Sequence, residues 1–294
     1  MVLRTPHALL VAGLIAASGA AAQTPPASEP IIVEGTANSD KQIDRFIRNL
    51  TPGPIHGQLS RFETKVCPLS VGLAPERNAL VVDRMRHVAA AAGIPLAPAD
   101  CRPNIIVIVT NNKADLIERL LRKRSYMFPD SWSMATIRAM ERDPAPAAAW
   151  AIEGVTTAEG ASLNYGTEVP VNRTARAASR LTPAARPYFA AAVVVVQANA
   201  LAGLTTTQLA DYAAMRTFVR TDPKKLDSSA PNSILTLLDT PMGQPVPVTL
   251  TAWDLSFLKS FYASRANAYA EYQRAQTKSL MKRELEKQQK AGQR

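Results

Sequence analysis

Two short β-branched segments constrain the fold of this chain more than any other sequence feature. Asn104–Thr110 (NIIVIVT) is bounded by Pro103 and Asn111, which is the pattern of a short strand. Tyr188–Gln197 (YFAAAVVVVQ) is apolar at nearly every position, which predicts a strand buried on both faces. The chain is therefore expected to contain a small sheet.

Apolar residues spaced three and four apart predict helices around these strands. Leu59–Val66 and Trp150–Val155 are two further candidate strands, whereas Thr156–Pro187 shows little periodicity. The predicted inward-facing residues are Ile43, Phe46, Ile47 and Leu50 in a first helix, Leu80, Val81, Met85, Val88, Ala89 and Ala92 in a second, and Leu116, Ile117, Leu120 and Leu121 in a third.

The C-terminal third is predicted to be helical. Thr205–Thr207 can cap one helix, and Thr251–Asp254 has the capping-box pattern for another. Because Ala252–Ala291 contains neither Gly nor Pro, we expect that second helix to run on into the end of the chain. The predicted class is α+β, with a small mixed or antiparallel sheet and a helical C-terminal third.

The first residues have the three parts of a secretory signal. Arg4 supplies positive charge, Ala8–Gly19 is apolar, and Ala20–Ala22 is a small-residue cleavage site before Gln23. The apolar part is about 12 residues long, which is too short for a membrane span of about 20. We therefore expect a periplasmic or secreted protein. The predicted segments are a signal peptide at 1–22, a flexible leader at 23–39, a single domain at 40–264 and a basic helical tail at 265–294.

The two cysteines, Cys67 and Cys101, both follow the predicted cleavage site. In an oxidising compartment such a pair is expected to form a disulfide, and two buried thiols are the alternative. Cys67 ends one candidate strand and Cys101 precedes another. A disulfide requires their Cα atoms to be within about 7 Å. This favours antiparallel strands, unless the loop before Cys101 climbs back along the sheet.

The formal net charge of +10 is concentrated at the C-terminus, where the last 30 residues contribute +5. A basic protein often binds nucleic acid, but export argues against that partner. The predicted tail could instead bind an anionic surface of the envelope. The partner itself is not predicted.

No motif for catalysis, metal binding or cofactor binding is recognisable. His56 and His87 are the histidines that follow the signal, and neither belongs to a metal-ligand pattern. Gly160–Ser162 lacks the closing glycine of a serine nucleophile motif, and no phosphate-binding glycine loop occurs. We predict no catalytic residue, no metal and no cofactor.

Three segments carry a resemblance to known proteins. Cys101–Val107, followed by a charged helix, is similar to uncharacterised exported proteins of proteobacteria. Leu204–Arg220 (LTTTQLADYAAMRTFVR), followed by Leu250–Tyr262 (LTAWDLSFLKSFY), resembles the C-terminal half of a secreted, metallopeptidase-like family of unknown function. The resemblance covers about residues 40–264. It implies a scaffold in which a helix carrying His and Glu precedes a helix that opens with Leu-Thr-x-x-Asp.

The chain departs from that family at the implied metal site. Gln208 and Asp211 stand where a working enzyme needs its His-Glu pair, so the resemblance implies that the metal site is missing. With Tyr212 they form a candidate vestigial site, although Asp211 could simply cap the helix or pair locally with Arg216 or another basic residue. The leading hypothesis is a non-catalytic exported protein. The alternatives are a hydrolase without a recognisable motif and an envelope-binding module that uses the tail.

Overall fold

The computed structural model describes residues 40–53, 57–161, 163, 172, 174, 178–180, 182–226, 233–241 and 243–292. His56, the signal peptide and the leader lie outside these residues, as does part of the aperiodic segment predicted at Thr156–Pro187, whose two ends belong to strands. Within them the helices are α1 Asp40–Leu50, α2 Pro75–Ala91, α3 Lys113–Lys123, α4 Met134–Arg142, α5 Thr206–Phe218, α6 Ala252–Ala263 and α7 Ala270–Gly292. The strands are β1 Pro68–Val71, β2 Ile105–Thr110, β3 Ala147–Thr157 and β4 Ala185–Gln197.

The strands form one mixed sheet in the order β1-β2-β4-β3. β1, β2 and β4 are parallel to one another, and β3 runs antiparallel to β4 along one edge. A bulge at Ile152/Glu153 interrupts that last pairing. The predicted α+β class with a mixed sheet and C-terminal helices is therefore confirmed.

Helices cover both faces of the sheet, because the central strands are apolar on both faces. Val194 and Val196 of β4 face a large core built from α1, α2, α5, α6 and α7. Val193 and Val195 face a smaller core that contains Ile117 of α3 and residues around α4. The predicted burial of β4 on both faces is confirmed, and β3 adjoins both cores from the edge.

The first two strands are parallel, so the predicted antiparallel arrangement is wrong. The error lies in the position of β1. The predicted strand Leu59–Val66 ended at Cys67, whereas β1 begins at Pro68, immediately after Cys67. Both cysteines therefore lie at the amino-terminal ends of adjacent parallel strands. Cys67 and Cys101 form a disulfide with a Cα–Cα distance of 6.1 Å. The side chain of Asn104 strengthens the junction by accepting from the Cys67 amide at 2.8 Å.

Two details of the predicted helices also differ. Leu80 of α2 is 49% exposed, so it is not part of the inward stripe. α6 and α7 are separate helices despite the absence of Gly and Pro between them. The break at Ser264 is stabilised by α7 itself, because Gln276 accepts from the Arg265 amide and Gln273 donates to the Arg265 and Ala266 carbonyls.

The basic C-terminal helix packs against the rest of the molecule. Met281 and Leu285 of α7 are buried in the large core, so the predicted tail packs on the domain. Several basic residues of α7 are paired with carboxylates: Arg274 with Glu271, Lys278 with Asp44 of α1, and Lys282 with Asp40 of α1. Within the residues described here, no helix combines the length and the apolar character needed to cross a membrane.

Candidate binding site at the edge of the sheet

The residues of the predicted vestigial site do not converge on a common point. Asp211 is fully buried and receives two hydrogen bonds from Arg84 of α2, at 2.7 and 3.0 Å. It also accepts from the Thr249 hydroxyl at 2.7 Å and the Leu250 amide at 2.6 Å. Asp211 therefore pairs with a basic residue, but that residue is Arg84 of another helix and not the local Arg216. Asp211 instead ties α5 to α2 and to the segment before α6.

Gln208 and Tyr212 have different environments from Asp211. Gln208 completes a capping box with Thr205 at the start of α5, and its amide donates to the Pro247 carbonyl at 2.8 Å. The Tyr212 hydroxyl accepts from Arg216 at 2.8 Å, and burial raises the pKa of this tyrosine. Tyr212 and Arg216 line a cavity, whereas Gln208 and Asp211 serve the packing of α5.

That cavity lies beside the first residues of β3 and has a volume of about 380 Å³. Because β3 is antiparallel to β4, its start at Ala147 is level with Val196, near the carboxyl end of β4. Sites outside the carboxyl ends of parallel strands commonly hold ligands in α/β sheets. α4 forms one wall, and α5 with the turn at Pro223–Lys225 forms the other.

A second cavity of about 600 Å³ continues along the same strand as far as Glu153. It shares Trp132, Ala149 and Asp222 with the first cavity. We call the two cavities together the edge groove, defined by Trp132, Ala147, Ala149, Ala151, Arg216 and Asp222. The groove follows the side of β3 that faces away from β4.

Backbone groups of β3 point into the edge groove. The Gln197 amide donates to the Pro146 carbonyl at 2.9 Å, which marks that pair as hydrogen-bonded. In an antiparallel ladder such pairs alternate with pairs whose N–H and C=O groups point outward. Ala147, Ala149 and Ala151 therefore direct these groups away from β4, and none of the described residues outside β3 forms a backbone hydrogen bond with them.

Aromatic residues form the wall of the groove on the α4 side. Phe128 stacks on Trp150 with ring centroids 5.1 Å apart, and the Trp150 indole donates to the Met127 carbonyl at 2.6 Å. These contacts hold the segment that carries Trp132, whose side chain lines both cavities. Tyr126 is exposed and lines neither cavity, so this aromatic cluster divides between the small core, the groove and the surface.

Buried hydrogen bonds fix the chain where it enters β3. Lys113 is 3% exposed, and its ammonium donates to the carbonyls of Asp143 and Ala145, both at 2.6 Å. Burial lowers the pKa of Lys113. The Asp143 carboxylate pairs with Lys224 at 2.5 Å across the first cavity. The hydrogen bond from Lys224, helped by the Ala145 amide, holds the pKa of Asp143 below its ordinary value.

Other charges at the groove are less completely paired. The Arg216 Nε is buried and has no hydrogen-bond partner within the described part of the chain. Partial withdrawal of the Asp239 carboxyl from water raises its pKa, although Arg216 and Lys224 oppose this effect. Arg220 pairs with Glu153 at 3.5 Å in the second cavity. A ligand in the groove would therefore meet both cationic and anionic side chains.

Among the described residues, no group of three or more His, Cys, Asp or Glu side chains is arranged to hold a metal ion. His87 is exposed on α2. The prediction that the chain has no catalytic residue, metal or cofactor stays a prediction.

The sequence did not identify the edge groove. Its floor is made of alanines, which carry no recognisable motif, and its character depends on β3 being an edge strand. The Ala-rich stretch Ala147–Ala151 was the available signal, because small side chains leave a backbone accessible. It could not be interpreted without the strand order.

Comparison with known proteins identifies no relative of this chain. No protein-family model, no curated protein and no solved structure matches this chain. The resemblance to secreted metallopeptidase-like proteins remains a prediction from short motifs.

Proposed function

We propose that the protein is an exported, non-catalytic binding protein and that the edge groove is its binding site. The observation that carries the proposal is the outward-facing backbone of Ala147, Ala149 and Ala151 at the floor of a groove walled by Trp132. Buried or partly enclosed hydrogen-bonding groups need partners. A ligand that supplies them in a concave, partly aromatic site gains both hydrogen bonds and apolar burial.

The non-catalytic part of the proposal is supported by the positions of Gln208 and Asp211. Their side chains are engaged in a helix cap and a buried ion pair, so neither is available to bind a metal or to transfer a proton. Export to the periplasm or outside the cell is supported by the signal-like first residues and by the disulfide, because such bonds persist in oxidising compartments. A metallopeptidase-like scaffold that has lost its metal site is consistent with this arrangement.

The alternative of an envelope-binding tail is weakened by the docking of α7. Lys278 and Lys282 lie close to carboxylates of α1, and Arg274 is buried against Thr51. Their charges are partly neutralised within the molecule, which reduces their attraction for an anionic surface. We therefore assign binding to the groove.

The proposal can be tested by nuclear magnetic resonance on the isotopically labelled mature chain. Libraries of short peptides, glycans and small anions should include ligands that shift the amide signals of Ala147, Ala149 and Ala151. Trp132→Ala should weaken that binding, whereas Leu80→Ala, on an exposed face of α2 beside the other edge of the sheet, should not. If the ligands found shift signals only elsewhere, or if the purified protein hydrolyses the peptides, the proposal is wrong.

A further inference from the structure

We infer, on the basis of the proposed binding function, that the edge groove binds a cationic peptide in extended conformation by adding it as a fifth strand beside β3. The two edges of the sheet differ in what they offer such a partner. β1 has four residues, whereas β3 has eleven, and its stretch Ala147–Ala151 precedes the bulge. A long edge strand with free backbone groups is the usual template for strand addition.

The geometry of β3 fits a short segment of about five or six residues, since strands rise about 3.3 Å per residue. Ala147, Ala149 and Ala151 each present one donor and one acceptor to the new strand. This alanine stretch contains no inward-pointing lysine or other charged side chain of the kind that keeps an edge strand from pairing with another chain. The partner's backbone would therefore complete the ladder with little rearrangement of the protein.

The two faces of the added strand would meet different surroundings. Ala148 and Trp150 point to the small core, where Trp132 and Met140 provide an apolar wall. Ala147, Ala149 and Ala151 point to the opposite face, toward the large core that contains α5. Because successive side chains of a strand alternate between faces, we expect the peptide to alternate apolar and cationic residues.

The preference for a cationic peptide follows from the charges lining the groove. Although the chain carries +10 overall, the groove has five carboxylates against three cationic side chains. The carboxylates belong to Asp130, Asp143, Glu153, Asp222 and Asp239, and the cations to Arg216, Arg220 and Lys224. Two of the cations already pair with Asp143 and Glu153. The remaining negative charge favours a basic ligand and disfavours polyanions such as nucleic acid.

The same charges argue against a second copy of this chain as the partner. Pairing β3 with another β3 about a two-fold axis would bring two acidic grooves together, and like charges across an interface are destabilising. Size-exclusion chromatography that found a dimer built on β3 would therefore contradict the inference.

The test uses an end-blocked octapeptide of alternating valine and lysine with the mature protein, followed by calorimetry and amide hydrogen exchange. The peptide should protect the amides of Ala149 and Ala151. An otherwise identical peptide with alternating valine and glutamate should bind at least about tenfold more weakly. A valine-lysine peptide methylated on every backbone nitrogen keeps its side chains but loses its donors along both edges, and its binding should also weaken about tenfold or more.

Protein variants check the charge argument. Asp222→Asn with Asp239→Asn should weaken binding of the valine-lysine peptide about fivefold and reduce its salt dependence. Asp83→Asn with Asp100→Asn removes two exposed carboxylates outside the groove and should leave binding unchanged. Equal binding of the methylated or glutamate peptide, or protection at β1 instead of β3, would overturn the inference. If other ligands occupy the groove while no extended peptide does, strand addition fails but the proposed binding function stands.

Discussion

At the scale of single residues, buried polar side chains fix the positions of the C-terminal helices. Asp211 connects α5, α2 and the segment before α6 through its four hydrogen bonds. Asp254 has an analogous role, because it accepts from the Ser233 hydroxyl at 2.6 Å and the Ile234 amide at 2.8 Å while it caps α6 with Thr251. Such fully hydrogen-bonded groups specify one arrangement of the helices.

Removal of the Asp211 carboxylate should destabilise the fold strongly. Asp211→Ala leaves the guanidinium of Arg84 buried without its counter-charge, which typically costs about 3–5 kcal/mol of the free energy of unfolding. Urea denaturation should show this loss. Asp83→Ala, on the exposed side of the same helix as Arg84, is the control and should change stability by less than about 0.5 kcal/mol.

The double variant Arg84→Met with Asp211→Leu separates the cost of the unpaired Arg84 charge from the cost of losing the hydrogen bonds of Asp211. It removes both charges together, so it should recover much of the stability lost in the single variant. A double variant that is no more stable than Asp211→Ala would show that the buried charge on Arg84 is not the cause.

At the scale of elements, α7 is part of the core and not a separate appendage. Beside the buried Met281 and Leu285, α7 makes polar contacts: Arg274 donates to the carbonyl and hydroxyl of Thr51, at 2.7 and 3.0 Å. Glu271 joins α7 to α1 through two hydrogen bonds from Arg48. The helix therefore closes the large core over α1 and α6.

Truncation after Lys278 should accordingly lower the melting temperature. The truncation removes Met281 and Leu285, and replacing one buried Met or Leu by Ala typically costs about 2–5 kcal/mol. Met281→Ala with Leu285→Ala should reproduce most of the loss, whereas Lys287→Ala, exposed on the same helix, should not. A truncated chain that melts at the original temperature would show that α7 does not stabilise the fold.

The docking of α7 on α1 should also weaken in acid. The hydrogen bonds from Arg48 and Arg274 lower the pKa of Glu271 from its ordinary value of 4.5, and Lys282 lowers that of Asp40 from 3.8. A carboxyl with a lowered pKa in the folded state stabilises the fold above its ordinary pKa. That contribution is lost as the pH falls through the folded-state value.

Glu271→Gln tests this pH dependence. The variant should be slightly less stable than the parent at pH 7, and the difference should shrink as the pH falls below 4.5 and disappear once the pH is below the lowered folded-state pKa of Glu271. The effect is small because the Glu271 side chain is 40% exposed, and solvent screens such pairs. Glu286→Gln, exposed on the same helix, should show no comparable difference at either pH.

At the scale of the whole molecule, the sequence predicted the features that local patterns encode. β2, β4, the buried stripe of α1 and the caps at Thr205 and Thr251 follow from neighbouring residues, and the structure confirms them. The predicted direction of β1 relative to β2 depended on where β1 begins relative to Cys67. An error of a few residues in that starting point made the predicted pairing antiparallel instead of parallel. Element boundaries are the least certain part of such a prediction.

The role of Asp211 and the existence of the edge groove were not predicted, because neither depends on local sequence. Asp211 is paired with a residue 127 positions away, and the role of Ala149 depends on which strand lies at the edge of the sheet. A carboxylate on a helix resembles any surface carboxylate until its partner on another element is known. An alanine run resembles any strand until the strand order is known.

The disulfide links the stability of the whole fold to the compartment in which the protein folds. It closes a sequence separation of 34 residues and joins the amino-terminal ends of β1 and β2. On the chain-entropy model a loop of that size stabilises the folded state by about 3–4 kcal/mol. Thiol titration of denatured, unreduced mature protein should find no free sulfhydryl. Cys67→Ser with Cys101→Ser should lower the free energy of unfolding by about that amount.

Under the proposed export, a chain produced without residues 1–22 should remain in the reducing cytoplasm, where the two thiols stay reduced. Its stability should match that of the double serine variant until it is oxidised, after which it should equal that of the mature protein with its disulfide formed. Treatment with a reductant should lower the melting temperature of the disulfide-bonded protein but leave the serine variant unchanged. Two titratable thiols in the mature protein, or equal stability of the oxidised and reduced chains, would contradict the proposed coupling between export and folding.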